Sequence, residues 1–323
     1  MPRSRFCLFI NIVYVIFRHI IGEKRGISMS DYVISCCSAA DLSELWLKKR
    51  DIKFIEFTYE LGGKEYKDDF GYSVPPHELY QRMLAGEESK TSQINVSVYY
   101  DHFKKILESG KDLIHVVLSS GISGTYNSAV LAANDLKEEY PNRNIYVVDS
   151  LAASAGYGLL VDKMADLRND GMDIDDLYTW TETHKLEAIH WFFSSDLTFF
   201  IRGGRVSKTA GFIGNMLNIC PLLNVDYQGR LIPREKVRTK KKVIRRIVDK
   251  MKKNAANGQD YNDTCIISHS DCLEDAESVK NIIEEEFPNL KGKILMFPIG
   301  ATIGCHTGPG TVALFFWGNK RVD

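Results

Sequence analysis

The sequence predicts an α/β protein built as two α/β domains with mainly parallel sheets. Three observations carry that reading. From Met29 onward, short β-branched or aromatic runs alternate with longer stretches of helical period. The run "LIHVVL" (113–118) is apolar but for His115 and leads straight into a loop and a helix, as parallel strands do. Near Lys185 a helical segment ends and a fresh β pattern opens at "IHWFF", which places a boundary between residues 29–185 and 186–323.

Residues 1–28 are set apart as an extension outside the fold. Two arginines precede an apolar stretch from Phe6 to Phe17, which is shorter than the about 20 residues a membrane-spanning helix needs. Arg18 and His19 follow it directly, without a small-residue cleavage site. The preferred start is therefore Met29, with "MSDYVIS" opening the first strand. Stable membrane insertion is not expected.

In chain order the expected strands are "YVISC" (32–36), "KFIEFTY" (53–59), "LIHVVL" (113–118), "NIYVVD" (144–149) and "IHWFF" (189–193). "ICPLLNVD" (219–226), "TCIISH" (264–269), "KILMFPI" (293–299) and "TVALFFW" (311–317) complete the set. Helical period runs through residues 129–140, 152–170 and 272–287. Glycines at 62–63 and 229 mark two hairpin turns, so each half carries some antiparallel pairing. In "KVRTKKKVIRRIVDKMKKN" (236–254), Val243, Ile244, Ile247, Val248 and Met251 form an apolar stripe under a basic face. That is an amphipathic surface helix, better suited to a protein partner than to nucleic acid.

Charge and cysteine content narrow the function classes. Lys and Arg number 41 against 42 Asp and Glu, which argues against a protein built to grip nucleic acid. Seven cysteines with no C-x-x-C pair fit neither a disulfide framework nor a zinc site, and point to a reducing, cytoplasmic setting. Cys36 and Cys37 have no basic neighbour in sequence and read as packing residues.

The candidate chemistry lies in loops after strands. "SSGISGTYNSA" puts Ser119, Ser120, Ser123 and Thr125 at a strand's carboxyl end, where the unpaired N–H groups of the next helix suit an anion. Ser123 and Thr125 are also ordinary helix-capping types. The loop lacks the lysine of a P-loop and is one residue short of a G-x-S-x-G elbow. "SKTSQINVS" (89–97) is a second hydroxyl cluster, with Thr91 and Ser92 as candidate caps of a helix starting near Val96. "FIRGGRVSKTAG" (200–211) sets Arg202 and Arg205 around a Gly-Gly turn and adds Lys208, a group suited to an anion or a partner as well as to a plain turn between helical pieces. His306 sits in the Gly-rich connection "IGATIGCHTGPG", with no second histidine spaced to make a metal site.

Taken in order, "CSAADLS", "TSQ", "SSGISGTYNSA", "RGGRVS", "VRTKKK" and "IGCHTGPGTVALFFWG" resemble the DegV family of fatty-acid-binding proteins over essentially the whole chain after Met29. The resemblance implies two α/β domains holding one long-chain fatty acid at their junction, its acyl chain in an apolar tunnel. It further implies a non-catalytic carrier, without cofactor or metal, that presents the carboxylate to a separate ATP-dependent fatty acid kinase subunit of a bacterium. Carried onto this chain, the carboxylate ligands would be Thr91, a serine of the "SSGISGT" loop and His306, with Ser123 preferred over Ser120. Arg238, matching a position tied to the phosphorylation step, and Arg205 would serve the partner or phosphate step. Two departures stand out: Cys37 replaces the family's Asp, and Ile94 its frequent proline. The competing reading is a serine-dependent acyl hydrolase using Ser120 or Ser123 with His306.

Overall fold

A computed structural model describes residues 32–207 and 219–322; the expected strands appear in it, except that "KFIEFTY" (53–59) is broken at Glu56 and Phe57 into two strands, Ile52–Ile55 and Thr58–Leu61, which join different sheets. The extension 1–28, the start at Met29 and the end of "FIRGGRVSKTAG" from Lys208 lie outside the described residues. β1 (Tyr32–Cys37) is buried along its length and passes through a 3-10 turn at Ser38–Ala40 into α1 (Glu44–Lys49). β2 (Ile52–Ile55), β3 (Thr58–Leu61), β4 (Lys64–Lys67), α2 (Pro76–Leu84) and β5 (Ser89–Ser92) follow. α3 (Val96–Glu108), β6 (Asp112–Val117), α4 (Thr125–Glu139), β7 (Ile145–Asp149), α5 (Ala155–Asn169) and α6 (Ile174–His184) complete the first half. The second half runs β8 (Ala188–Ser194), α7 (Thr198–Arg202), β9 (Ile219–Val225), β10 (Leu231–Arg238) and α8 (Lys240–Asn254). It continues with β11 (Cys265–His269), α9 (Leu273–Glu286), β12 (Leu295–Pro298), α10 (Ala301–Thr307) and β13 (Thr311–Trp317).

The strands form three sheets. The first, in the order β2-β1-β6-β7, is parallel throughout, as expected. The second, β10-β9-β8-β13-β11-β12, is antiparallel at every pairing except β11 with β12. The α/β class therefore holds, while parallel pairing holds in the first sheet and gives way in the second. A continuous apolar run such as "TVALFFW" reports burial of both faces and says nothing of direction, which the connections decide. The third sheet is a small antiparallel one, β4-β3-β5, grown from the hairpin at Gly62–Gly63.

The two larger sheets draw their strands from opposite sides of residue 185. They are joined by α5, which packs on β1 and β6 of one and on β8, β11 and β13 of the other. Its residues Leu159, Leu160, Val161, Met164 and Ala165 are all buried. A helix apolar on several faces belongs between two layers, and residues 32–323 accordingly form one compact unit. α8 is the expected amphipathic helix, with Val243, Ile244, Ile247, Val248 and Met251 buried and its basic residues outward. Among the described residues no helix is long and apolar enough to cross a membrane.

Local capping corrects one expectation. Thr91 and Ser92 do not cap α3; they lie in β5, where Thr91 pairs with Tyr59 of β3. The cap is Asn95, whose Oδ1 accepts from Val98 N at 3.0 Å. Asn95→Ala should cost about 1 kcal/mol and lower Tm by about 2 °C in a thermal melt; an unchanged melt would show that α3 is held by packing alone.

Candidate ligand-binding site

A cavity of about 220 Å³ lies among β5, the loop before α4, α7 and α10. Its apolar wall includes Phe57, Leu118, Ile122, Phe200 and Leu231, and its polar wall includes Thr91, Gln93, Ser123, Arg205 and His306. None of the described lining residues is acidic. Four residues singled out from the sequence, Thr91, Ser123, Arg205 and His306, thus meet at one cavity although they are up to 215 positions apart. Ser120 is exposed and is not among the lining residues; its backbone N–H donates to Asp149 Oδ1 at 3.1 Å. Arg238 is also exposed, at the end of β10, and is not among them.

His306 is not in a flexible turn, as its glycine-rich surroundings suggested. It occupies the last turn of α10. The helix forms because buried carboxylates receive its opening N–H groups: Asp41 Oδ1 accepts from Gly300 N at 3.0 Å, and Asp68 accepts from Ala301 N and Thr302 N. Cys305 packs its other side into a small cluster with Tyr59, Leu79, Tyr80 and Met83. The helix then stops at Gly308, whose φ of 65° and ψ of −177° suit glycine almost alone.

The imidazole has an asymmetric environment. Its Nε2 lies 2.7 Å from Thr91 Oγ1, while Nδ1 is buried and has no hydrogen-bond partner. Gly203 makes room for it, since a Cβ there would stand 2.3 Å from Nδ1. Burial, and secondarily the Arg205 guanidinium, hold the imidazole pKa down to about 4, so the ring is neutral at pH 7. The unfolded chain binds a proton on this ring more readily, so its contribution to stability is present above about 6.5 and lost as pH falls toward about 4. With the ring neutral, an Nε2–H donated to Thr91 Oγ1 leaves the hydroxyl proton free for a third group.

Arg205 stitches the site together. Its Nε donates to Ile122 O at 3.1 Å and its Nη1 to Gly203 O at 2.6 Å, so the cation bridges the serine loop and the backbone beside His306. Burial lowers its pKa, and an anion in the cavity would face it across a poorly solvated space. Ser123 has a double duty, lining the cavity while its Oγ donates to Thr125 Oγ1 at 3.0 Å and accepts from Thr125 N at 3.3 Å. Ser119 is buried, tying Gly229 O at 2.9 Å to the loop. Of the three serines, Ser123 is the one that lines the cavity.

Cys37 is fully buried, with Sγ 3.3 Å from Tyr99 Oη and 3.7 Å from His115 Nε2. Burial pushes its thiol up to about 12, so it packs rather than reacts. The expected replacement of a carboxylate by a thiol is therefore absorbed within the core. Sequence reasoning missed the apolar wall, whose members are scattered through both halves, and it missed Asp41 and Asp68. A signal was present in the second case: aspartates in "AADLS" and "KDDFG" that turn out 4% and 2% exposed.

Residues 34–319 match the profile of a family described as "Uncharacterised protein, DegV family". The chain belongs to the DegV family. It is 36% identical over 293 residues to a DegV domain-containing protein of Clostridium perfringens, covering 91% of this chain and 99% of that one. Among solved DegV-like structures, a Thermotoga maritima protein described as having a fatty acid binding function superposes with a TM-score of 0.76 at 27% identity, over 90% of this chain and all of that one. The Streptococcus pneumoniae fatty acid kinase B3 protein, loaded with linoleic acid, shares the fold with a TM-score of 0.77 at 22% identity, covering 89% and 99% of the two chains.

Proposed function

We propose that this DegV protein binds one long-chain fatty acid and presents its carboxylate to a separate ATP-dependent kinase subunit. The observation that carries the reading is the polarity of the cavity: one wall of hydroxyl, amide, imidazole and guanidinium groups without a carboxylate, facing an apolar wall. A carboxylate is the anion for which Thr91, Gln93 and Arg205 supply donors, Ser123 joining them when its hydroxyl proton turns from Thr125 Oγ1, with His306 fixing the direction of the Thr91 hydroxyl. The acyl chain would continue along Leu118, Ile122, Phe200 and Leu231 into an apolar tunnel, each buried CH₂ contributing about 0.8 kcal/mol. Hydrogen bonds from these hydroxyl, amide and guanidinium donors hold the carboxylate while leaving an oxygen lone pair to attack the γ-phosphorus of ATP, with ADP as leaving group. Arg238, exposed at the end of β10, and Arg205 are the cations we assign to the partner or phosphate step. Binding by relatives of known structure supports the ligand class.

A hydrolase reading has weaker support. Ser123 Oγ bonds to Thr125, and His306 Nε2 faces Thr91. Nucleophile and base are thus engaged elsewhere, and His306 Nδ1 has no orienting carboxylate.

Denaturing extraction of purified protein followed by lipid mass spectrometry tests the proposal. One equivalent of fatty acid per chain is expected, and delipidated protein should take one up again. Protein that carries none and takes up none would refute it; release of acid from a model ester would favour the hydrolase. A second expectation concerns charge. A bound carboxylate should raise the His306 pKa by about 1 to 3 units from its value near 4, read by NMR titration of the imidazole nitrogens with and without palmitic acid. An unmoved titration would remove the carboxylate from the neighbourhood of Thr91 and His306.

A further inference from the structure

Two buried carboxylates stand outside the cavity and have no part in the proposed binding step. Asp41 follows β1 and Asp68 follows β4, both in the first half of the chain, yet both reach the opening of α10 in the second half. Asp41 Oδ1 accepts from Gly300 N at 3.0 Å; Asp68 Oδ1 and Oδ2 accept from Ala301 N at 3.1 Å and Thr302 N at 3.3 Å. Of the N–H groups that a helix start leaves unpaired, three are taken. Among the described residues neither carboxylate is paired with a Lys or Arg side chain, and burial raises both pKa values, with the charge of Asp68 adding to the effect on Asp41.

Such a pair is a costly way to cap a short helix, because a serine or asparagine would do so without burying charge. Its geometry suggests what it accomplishes. Ser154 Oγ donates to Asp41 Oδ2, and Ser38 Oγ donates to Asp68 Oδ2 at 3.1 Å. Ser38 Oγ also accepts from Phe57 N at 3.1 Å, and Asp68 N donates to Phe57 O at 2.9 Å, so the Asp68 carboxylate is tied to a residue of the cavity wall. At the other end of α10, about 10 Å away at 1.5 Å per residue, Ser89 Oγ donates to Cys305 O at 3.3 Å and Thr91 meets His306. The first half of the chain therefore grips both ends of a helix that belongs to the second.

We infer that Asp41 and Asp68 are positioning residues for the ligand carboxylate: by fixing the start of α10 against the cavity wall they set where His306 meets Thr91. This rests on the fatty-acid reading for its consequence, though not for its geometry. The two act through His306 and touch no ligand themselves.

The test uses the full chain, delipidated, with Asp41→Asn and Asp68→Asn compared with the unaltered protein. Affinities for palmitic acid and for 1-hexadecanol, which has the same tail and no carboxylate, are measured side by side, together with the imidazole ¹⁵N resonances of His306 in ligand-free protein. We expect acid binding to weaken about tenfold, alcohol binding to change less than twofold, and the His306 resonances to move. Equal loss for both ligands, or unmoved resonances with unchanged acid binding, would overturn the inference and leave the pair a purely structural cap. Should either variant fail to fold, Ser38→Ala and Ser154→Ala each remove one donor from a carboxylate and should weaken acid binding about threefold with the same selectivity. If the unaltered protein takes up no palmitic acid, the proposed function fails, and the resonances still decide whether the carboxylates position His306.

Discussion

His306→Ala is expected to weaken binding of a long-chain fatty acid by about 10- to 100-fold while leaving the fatty alcohol of the same length bound within about twofold. The magnitude follows from the worth of hydrogen bonds to a charged group, about 1.5–3 kcal/mol. The selectivity follows from geometry. His306 Nε2 stands 2.7 Å from Thr91 Oγ1, and losing the ring frees the hydroxyl to rotate away from the carboxylate. The acyl chain touches other residues, so the part of the affinity that grows with buried area persists. Because Nδ1 makes no hydrogen bond, the truncation leaves no partner unsatisfied there and the fold should survive. Isothermal titration of both ligands against both proteins gives the four affinities. A parallel fall for acid and alcohol would mean that the ring shapes the cavity rather than orients the head group.

Gly308→Ala is expected to lower Tm by about 5 °C or more. The backbone at Gly308, with φ 65° and ψ −177°, is closed to residues with a Cβ at a cost of about 1–3 kcal/mol. The added atom would also stand 2.1 Å from a ring carbon of Phe199, and relieving such overpacking costs about 1–3 kcal/mol more. For a chain of this size a few kcal/mol corresponds to several degrees. Phe199 lies in α7 beside Phe200, which lines the cavity, so the variant should also bind ligand less well. A melt within 1 °C of the unaltered protein, followed by circular dichroism, would contradict the conformational argument.

The β runs were legible because burial on both faces leaves an unbroken apolar signature, and the two hairpins because Gly62–Gly63 and Gly229 mark turns. The stripe of α8 was equally plain, since Val243, Ile247 and Met251 repeat at helical spacing. What could not be read depends on partners distant in sequence. β5 is a polar strand, "SKTS", whose only reason to be extended is its pairing with β3. α10 is flanked by glycines at 300, 308 and 310 and looks like a turn until Asp41 and Asp68, more than 230 positions earlier, are seen to receive the N–H groups at its start. Strand direction in the second sheet was likewise hidden, because composition does not record which way a buried strand runs. At the site, Thr91, Ser123 and His306 of the expected set line one cavity and Ser120 does not, in keeping with the preference for Ser123 over Ser120.

The position of β13 bears on the order in which a newly made chain can become functional. Among the described residues it is the last strand, yet it sits inside the six-stranded sheet, hydrogen-bonded to β8 on one side and β11 on the other. During synthesis from the N-terminus, β8 emerges more than 100 residues before the strand that must lie beside it. Until Trp317 has left the ribosome the two flanking strands have an open slot between them, whose unpaired backbone N–H and C=O groups invite wrong pairing. His306 precedes β13 by five residues, so the polar wall of the cavity and the sheet are completed in the same late step. A nascent chain can thus build its first parallel sheet early, while the cavity wall that includes His306 waits for residues made more than 150 positions later.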